Sequence, residues 1–167
     1  MMKVSKLQEE LQQTKPFVSD REEAMLAILK TADLLRRGVG SVLEAQGVTP
    51  QQYNVLRILR GAGPNGLPTL SICERLIEAT PGITRLLDRM ETRGWVERVR
   101  SVKDRRVVYA KICPSGLELL ERIAPCIAEY IGGLFPSLDD GAVRGLIELL
   151  ERAREQAEVV DDPVTAF

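Results

Sequence analysis

The chemistry available to this chain is concentrated in one stretch. Between Thr80 and Lys111 stand nine basic residues (Arg85, Arg89, Arg93, Arg98, Arg100, Lys103, Arg105, Arg106 and Lys111) against four acidic ones (Asp88, Glu91, Glu97 and Asp104), a local charge of +5. The formal net charge of the 167 residues is −1, so the rest of the chain carries −6. A cationic segment in an acidic body is the footprint of a surface that meets phosphate on one side and solvent or a partner subunit on the other. The chemistry is that of guanidinium and ammonium groups binding a polyanion. Acid–base or nucleophilic catalysis has nothing comparable to draw on. The chain has no histidine, no zinc-ligand spacing, no Gly-rich phosphate loop and no serine in a nucleophile-elbow setting, so neither an enzyme nor a metal or other cofactor is expected.

Within the stretch, Ile83, Leu86, Leu87 and Met90 fall at i, i+3, i+4 and i+7, which predicts a helix with those residues inward. The opposite face then presents Pro81, Arg85, Asp88 and Thr92, flanked by Thr84 and Arg89. An outward arginine can grip guanine through two parallel hydrogen bonds in the major groove, and a threonine can meet a thymine methyl or a phosphate. Gly82 would let the backbone come close, and the helix N-terminus offers amides to a phosphate oxygen. Beyond Gly94 the periodicity changes. Residues 95–99 and 107–112 are rich in β-branched and aromatic types and flank the polar stretch 100–106, which predicts a hairpin with a charged tip. Its Lys103, Arg105 and Arg106 are suited to a narrow minor groove of high negative potential. Asp104 would repel phosphate, so its expected work is internal, accepting turn amides or pairing with an arginine to fix the tip.

The elements that must position these groups are also legible. Val4, Leu7 and Leu11 outline a short amphipathic arm before Lys15-Pro16. Asp20, with Glu23 three positions on, opens a long helix through Met25, Ile28, Leu29, Ala32, Leu35, Val39 and Leu43 that Gly47 closes. Thr49, Pro50 and Gln52 supply an N-cap, a first-turn proline and a capping-box partner for a second helix with Tyr53, Leu56 and Leu59 inward. Residues 61–68, GAGPNGLP, read as loop, and Thr69 as the cap of a third helix carrying Ile72, Cys73 and Leu76. Thr80-Pro81 starts the arginine-bearing helix, so two short helices meet across a few residues, the outline of a helix-turn-helix, and the hairpin behind it is a wing. From Pro114 to about Phe135 the pattern is helical, with Pro125 expected to kink or split it, and Ser137 starts a last helix carrying Val143, Leu146, Ile147, Leu150 and Ala153. The tail 159–167 has no period and is expected to fray.

With this helix and wing the chain resembles the MarR family of bacterial regulators. The run TPGITRLLDRMETRGWVERVRSVKDRRVVYAKICPSG is similar to that family's recognition helix and wing, with the D-x-R signature at Asp104 and Arg106, and TPQQYNVLRIL resembles its second helix. The resemblance covers roughly residues 22–155. It implies a repressor acting on double-stranded DNA as a homodimer, held by interleaved N- and C-terminal helices, with one helix in a major groove and one wing in the adjacent minor groove of each half-site. Carried over residue by residue, Thr84 and Arg85 are groove contacts, Arg106 the wing-tip arginine and Asp104 its support. The family commonly lets go of DNA when a small, often phenolic, molecule binds between the dimerisation helices and the DNA-binding lobe, or when a cysteine is oxidised. Arg36, Arg37 and Tyr53 lie on helices that would border such an effector cavity.

The architecture expected is therefore mainly α with a small β-hairpin wing. Residues 1–48 form an arm and first dimerisation helix, 49–113 a winged helix-turn-helix lobe, 114–158 C-terminal dimerisation helices, and 159–167 a tail. No leader-like or membrane-length apolar run occurs, so a cytoplasmic protein without membrane contact is expected. Cys73, Cys113 and Cys126 are odd in number and lack C-x-x-C spacing, which argues against a disulfide framework. Where the family usually has Leu-Thr, this chain has Ile112-Cys113, so a thiol replaces a capping hydroxyl. Two alternatives stand beside the main reading: a winged-helix protein-interaction module without DNA binding, and a redox-sensing regulator using Cys113 or Cys126.

Overall fold

The structure, a computed structural model, describes residues 5–78 and 82–161, with side chains as far as residue 157. Pro81 and the Thr80-Pro81 helix start lie outside the described residues, as do Val4 and residues 162–167. Seven helices and three strands follow in the order α1 (Lys6–Glu10), α2 (Asp20–Glu44), α3 (Pro50–Ala62), β1 (Leu67–Pro68), α4 (Thr69–Cys73), α5 (Ile83–Thr92), β2 (Val96–Arg100), β3 (Val108–Ile112), α6 (Pro114–Gly132) and α7 (Asp140–Asp161) among the described residues. The fold is thus mainly helical with a small antiparallel sheet, as the sequence predicts. The chain divides into two compact units between Ala128 and Glu129. Among the described residues no helix is long and apolar enough to cross a membrane.

Local chemistry explains most boundaries. Thr49 accepts from the Gln52 amide and Gln52 Oε1 accepts from the Thr49 amide, at 3.2 and 3.0 Å, so the capping box forms as its spacing demands. Gly47, at φ +71°, ends the α2 region in a left-handed turn, its amide donating to Glu44 and the next amide to Leu43. Elsewhere the caps differ from expectation. Ser19, not Asp20, caps α2, its hydroxyl accepting from the Glu22 amide, because its extended backbone aims the side chain at the helix end while Asp20 is already helical. Thr69 is not a cap. It stands inside α4 and donates its hydroxyl to the carbonyl of Val108 on β3. Asp139, not Ser137, opens the last helix, its carboxylate accepting from the Ala142 amide at 2.8 Å. Helix α6 is not split at Pro125: proline withholds one amide, and the residues around it, Glu121 and Pro125, are exposed, so water can serve the freed carbonyl. Residues 159–161, expected to fray, continue α7.

The stretch 61–68 is also more than a loop. Leu67 and Pro68 pair antiparallel with Ala110 and Tyr109, and the sheet order is β1-β3-β2. Proline is tolerated there because β1 is an edge strand. On the other side of β3, Val96 to Arg100 pair with Ile112 to Val108 in continuous register.

One core serves this lobe. Leu43, Val55, Leu56, Leu59, Ile72, Leu87, Met90 and Ala110 are fully buried, joined by Val96, Leu119, Leu120 and Ile123. Burying a side chain of this size contributes roughly 1.5–3 kcal/mol each before entropy is counted. α6 packs against the wing's root through a glycine. A Cβ at Gly116 would stand 2.4 Å from the Trp95 carbonyl and 2.9 Å from Ile112 Cγ1. Gly116→Ala is therefore expected to destabilise by about 1–3 kcal/mol through overpacking against backbone, read as a lowered thermal midpoint. Gly145, whose Cβ would meet nothing within 4 Å, should accept alanine without that loss.

Candidate nucleic-acid interface

The apolar stripe of α5 does what its period requires. Leu86, Leu87 and Met90 are buried, Ile83 is half-buried, and Thr84, Arg85, Asp88, Arg89 and Thr92 face solvent. Gly82, at φ +88°, sits in the left-handed region immediately before the helix, a conformation a side chain would strain. Gly94, at φ +71°, ends the helix. The turn between β2 and β3 carries Lys103, Asp104, Arg105 and Arg106, all exposed. Asp104 is engaged within the turn. Its Oδ1 accepts from the Arg106 amide at 2.9 Å and its carbonyl from the Val107 amide at 3.0 Å, while the Ser101 hydroxyl accepts from the amides of Lys103 and Asp104. The acid is spent on the turn, and the cations project from it.

These two cationic projections are fastened by a residue to which the sequence reading gave no role. Arg98, on β2, donates Nε and Nη2 to Glu91 Oε2 at 3.0 and 2.7 Å, and Nη2 stands 2.6 Å from Asp88 Oδ1. Its backbone amide also donates to Glu91 Oε1 at 3.0 Å. The side-chain hydrogen bond from Arg98 holds the Glu91 carboxyl below the usual glutamate range against the opposing effect of burial, and the same bond pushes the Arg98 guanidinium up. A signal for it existed: strand alternation puts Arg98 on the side of buried Val96, and a cation on the inward face of a strand requires an acid opposite.

Other cations of the segment are committed as well. Arg93 donates to the Gly47 carbonyl at 2.7 Å and lies over the Trp95 ring at 4.8 Å. By contrast, among the described residues Arg85, Arg89, Lys103, Arg105 and Arg106 form no ion pair. A cleft of about 630 Å³ separates α5 from the turn, with Thr84, Arg98 and Arg106 on its walls, so the structure brings Thr84 and Arg106 to one concavity. Arg89 lies on the other flank of α5, in a cleft shared with Thr49 and Gln52.

Of the residues placed near an effector cavity, Arg36 and Arg37 line one cleft of about 350 Å³ with Gly40, Ser41, Glu44 and Pro50. Tyr53 is not on its walls. It is half-buried against the core, with the Arg57 guanidinium 5.8 Å above its ring. Cys73, Cys113 and Cys126 are free and half-buried. Burial, helped by Glu97 and Glu91, pushes the Cys113 thiol up, which disfavours the thiolate that oxidation requires.

A helix-turn-helix followed by a hairpin whose root lies on the same core is a winged helix. Comparison with known proteins agrees. The profile of the MarR family matches residues 46–107. The HTH-type transcriptional regulator YkoM of Bacillus subtilis is 33% identical over 107 residues, 64% of this chain and 68% of that protein. The crystal structure of a MarR transcription factor from Planctomyces limnophilus superposes with a TM-score of 0.59 at 35% identity, covering 81% of this chain and 98% of that one. A MepR–DNA complex from S. aureus shares the fold, with a TM-score of 0.70 at 19% identity over 78% of this chain and 95% of that one. The chain belongs to the MarR family of winged-helix transcriptional regulators.

The Arg98 pairing makes the interface sensitive to acid. Because the Glu91 carboxyl is lowered in the folded state, its contribution is present above the ordinary glutamate range and is lost as pH falls through the lowered value. Protection of the β2–β3 turn amides, taken relative to the intrinsic exchange rate at each pH, is expected to persist from neutral pH down into the ordinary carboxylate range and to fall below it. Glu91→Gln should show reduced protection at every pH. Identical profiles for the two proteins would show that the pair does not hold the hairpin.

Proposed function

We propose that the protein represses transcription in the cytoplasm by binding a palindromic duplex site as a homodimer, with α5 in the major groove and the β2–β3 turn in the adjoining minor groove. One observation carries this reading: five cations without acidic partners among the described residues, Arg85, Arg89, Lys103, Arg105 and Arg106, stand on two projections that Arg98 ties together. Phosphate is the partner such groups lack, and their division between a helix and a turn matches the two grooves of B-DNA. Thr84 and Arg85 are the base-reading pair, Arg106 enters the minor groove, Lys103 and Arg105 meet phosphate, and Gly82 allows close approach of backbone. The MepR–DNA complex is a protein of the same fold held on DNA.

The homodimer is supported by large apolar side chains left in solvent on the first and last long helices: Met25, Ile28, Leu29 and Leu34 on α2, and Ile147 and Leu149 on α7. Leu29 is 59% and Leu149 62% exposed, an arrangement that a second copy would relieve. Release by a small, aromatic effector is supported by the Arg36–Arg37 cleft, which offers cations in a concavity away from the wing.

The test is a fluorescence-anisotropy titration on the promoter of the protein's own gene, beside a random duplex of equal length. Specific binding is expected at two half-sites about one helical turn apart. Arg85→Ala should cost about 1–3 kcal/mol on the promoter and little on random DNA. Lys103→Ala should weaken both duplexes alike and reduce the salt slope by about one. Equal loss on both duplexes for Arg85→Ala would remove it from base reading, and no binding at low salt would overturn the function. Sedimentation should give the mass of two chains, and Leu29→Glu should shift it to one.

A further inference from the structure

A second group of cations lies on neither α5 nor the hairpin. Arg57 and Arg60 of α3 and Arg75, two residues past α4, are exposed and line one cleft of about 400 Å³. None of its walls comes from α5 or from the two strands of the wing. Among the described residues these three arginines form no ion pair, and no carboxylate stands on the cleft walls. Of the acids close in sequence, Glu74 is not on the walls and Glu78 accepts from Arg36 Nε instead. Three like charges around one concavity repel one another, and an anion between them removes that cost.

The local structure builds this cleft from one side of a helix. Arg57, Ile58 and Gly61 fall on a single face of α3, while Val55, Leu56 and Leu59 serve the core. The Arg57 guanidinium lies 5.8 Å above the Tyr53 ring, which restrains it. Arg60, in the last turn, suits the helix dipole, but the dipole accounts neither for Arg57 nor for Arg75 on another element. Gly61 is the other unexplained choice. Glycine weakens a helix relative to alanine, and no neighbour demands it here, since a Cβ would meet nothing within 4 Å. The missing side chain leaves the floor open beside the arginines. Half-buried Ile58 and exposed Ile77 add apolar wall.

We propose that this cleft is a nucleotide-phosphate site separate from the α5–hairpin surface, with Arg57, Arg60 and Arg75 taking the phosphate oxygens and the sugar or base lying against Ile58 and Ile77. Guanidinium forks match phosphate oxygens in pairs, which an unpaired cluster of them is free to do. The same chemistry is carried by a free nucleotide and by the backbone of DNA beyond the half-sites. The site goes beyond the DNA-binding reading and does not rest on it.

The experiment uses the full chain, with ADP as probe and uncharged adenosine as control, both read by calorimetry. ADP is expected to bind and adenosine not. Replacing Arg57, Arg60 and Arg75 together by glutamine should weaken ADP at least about tenfold, whereas Arg85→Gln with Arg105→Gln should leave it unchanged. Gly61→Glu puts a carboxylate four residues from Arg57 on the same helix face, supplying the missing anion from within. It should lose ADP with no fall in thermal midpoint, which separates loss of the site from loss of the fold. Anisotropy on a duplex confined to the half-sites, and on one extended at both ends, then identifies the source. Loss by Gly61→Glu on the extended duplex alone assigns the phosphate to flanking DNA, and loss of ADP with both duplexes unaffected assigns it to a free nucleotide. Loss of neither, equal binding of ADP and adenosine, or ADP binding that depends on Arg85 and Arg105 instead would overturn the site. Should the chain bind no duplex, the DNA reading fails, while the ADP titrations still decide whether the cleft holds phosphate.

Discussion

A single guanidinium decides whether this lobe is one surface or two. Helix α5 has ten residues and the hairpin five to a strand, and elements so short have no fixed relation to one another unless something outside their own backbones imposes it. The shared core of Leu86, Leu87, Met90, Val96 and Ala110 supplies part of it, and Arg98 adds the rest by binding Glu91 through two nitrogens and Asp88 through one. The same contacts answer an electrostatic difficulty. Two carboxylates on the helix that bears Arg85 and Arg89 would repel a polyanion, and Arg98 offsets one of their two charges without adding a free cation to the exposed rim. Two guanidinium nitrogens on Glu91 Oε2 and the Arg98 amide on Oε1 give the carboxylate three charge-assisted hydrogen bonds, more than an ordinary surface ion pair has.

The rest of the lobe holds that arrangement from beneath. Arg93 fixes the C-terminal end of α5 to the turn before α3 and stacks on Trp95 at the start of the hairpin. Ser115 donates to the Gly94 carbonyl, and the Cys113 amide donates to the Trp95 carbonyl, so α6 is seated on the turn that links recognition helix to wing. Gly116 permits that seat, since any side chain there would meet the Trp95 carbonyl. At the opposite end Arg36 and Glu78 join α2 to the segment before α5. The helix is held by charge at its C-terminal end and by Leu86, Leu87 and Met90 along its buried face.

Legibility followed the range of the interaction. The box of Thr49 and Gln52 spans three residues and forms as written; so does the inward stripe of α5. Ser19 and Asp139 displaced the expected caps by one or two residues, because Ser, Asp and Asn crowd these helix starts and only the backbone angle selects among them. β1 was invisible: two residues ending in proline have no period, and they form a strand only because β3 lies beside them. Thr69 was misread for the same reason, its hydroxyl being drawn to a carbonyl 39 residues away.

By itself the sequence determined the apolar stripe of each helix, the buried face of α5, and that a cationic helix precedes a cationic hairpin, since these depend on side-chain type and spacing within a few residues. Tertiary structure alone decided which cations are free. Arg85, Arg89 and Arg98 are equivalent as letters, yet Arg98 is consumed by Asp88 and Glu91 while the others stay open. Charge pairing depends on distance in space, and that distance exists only once strand and helix share a core.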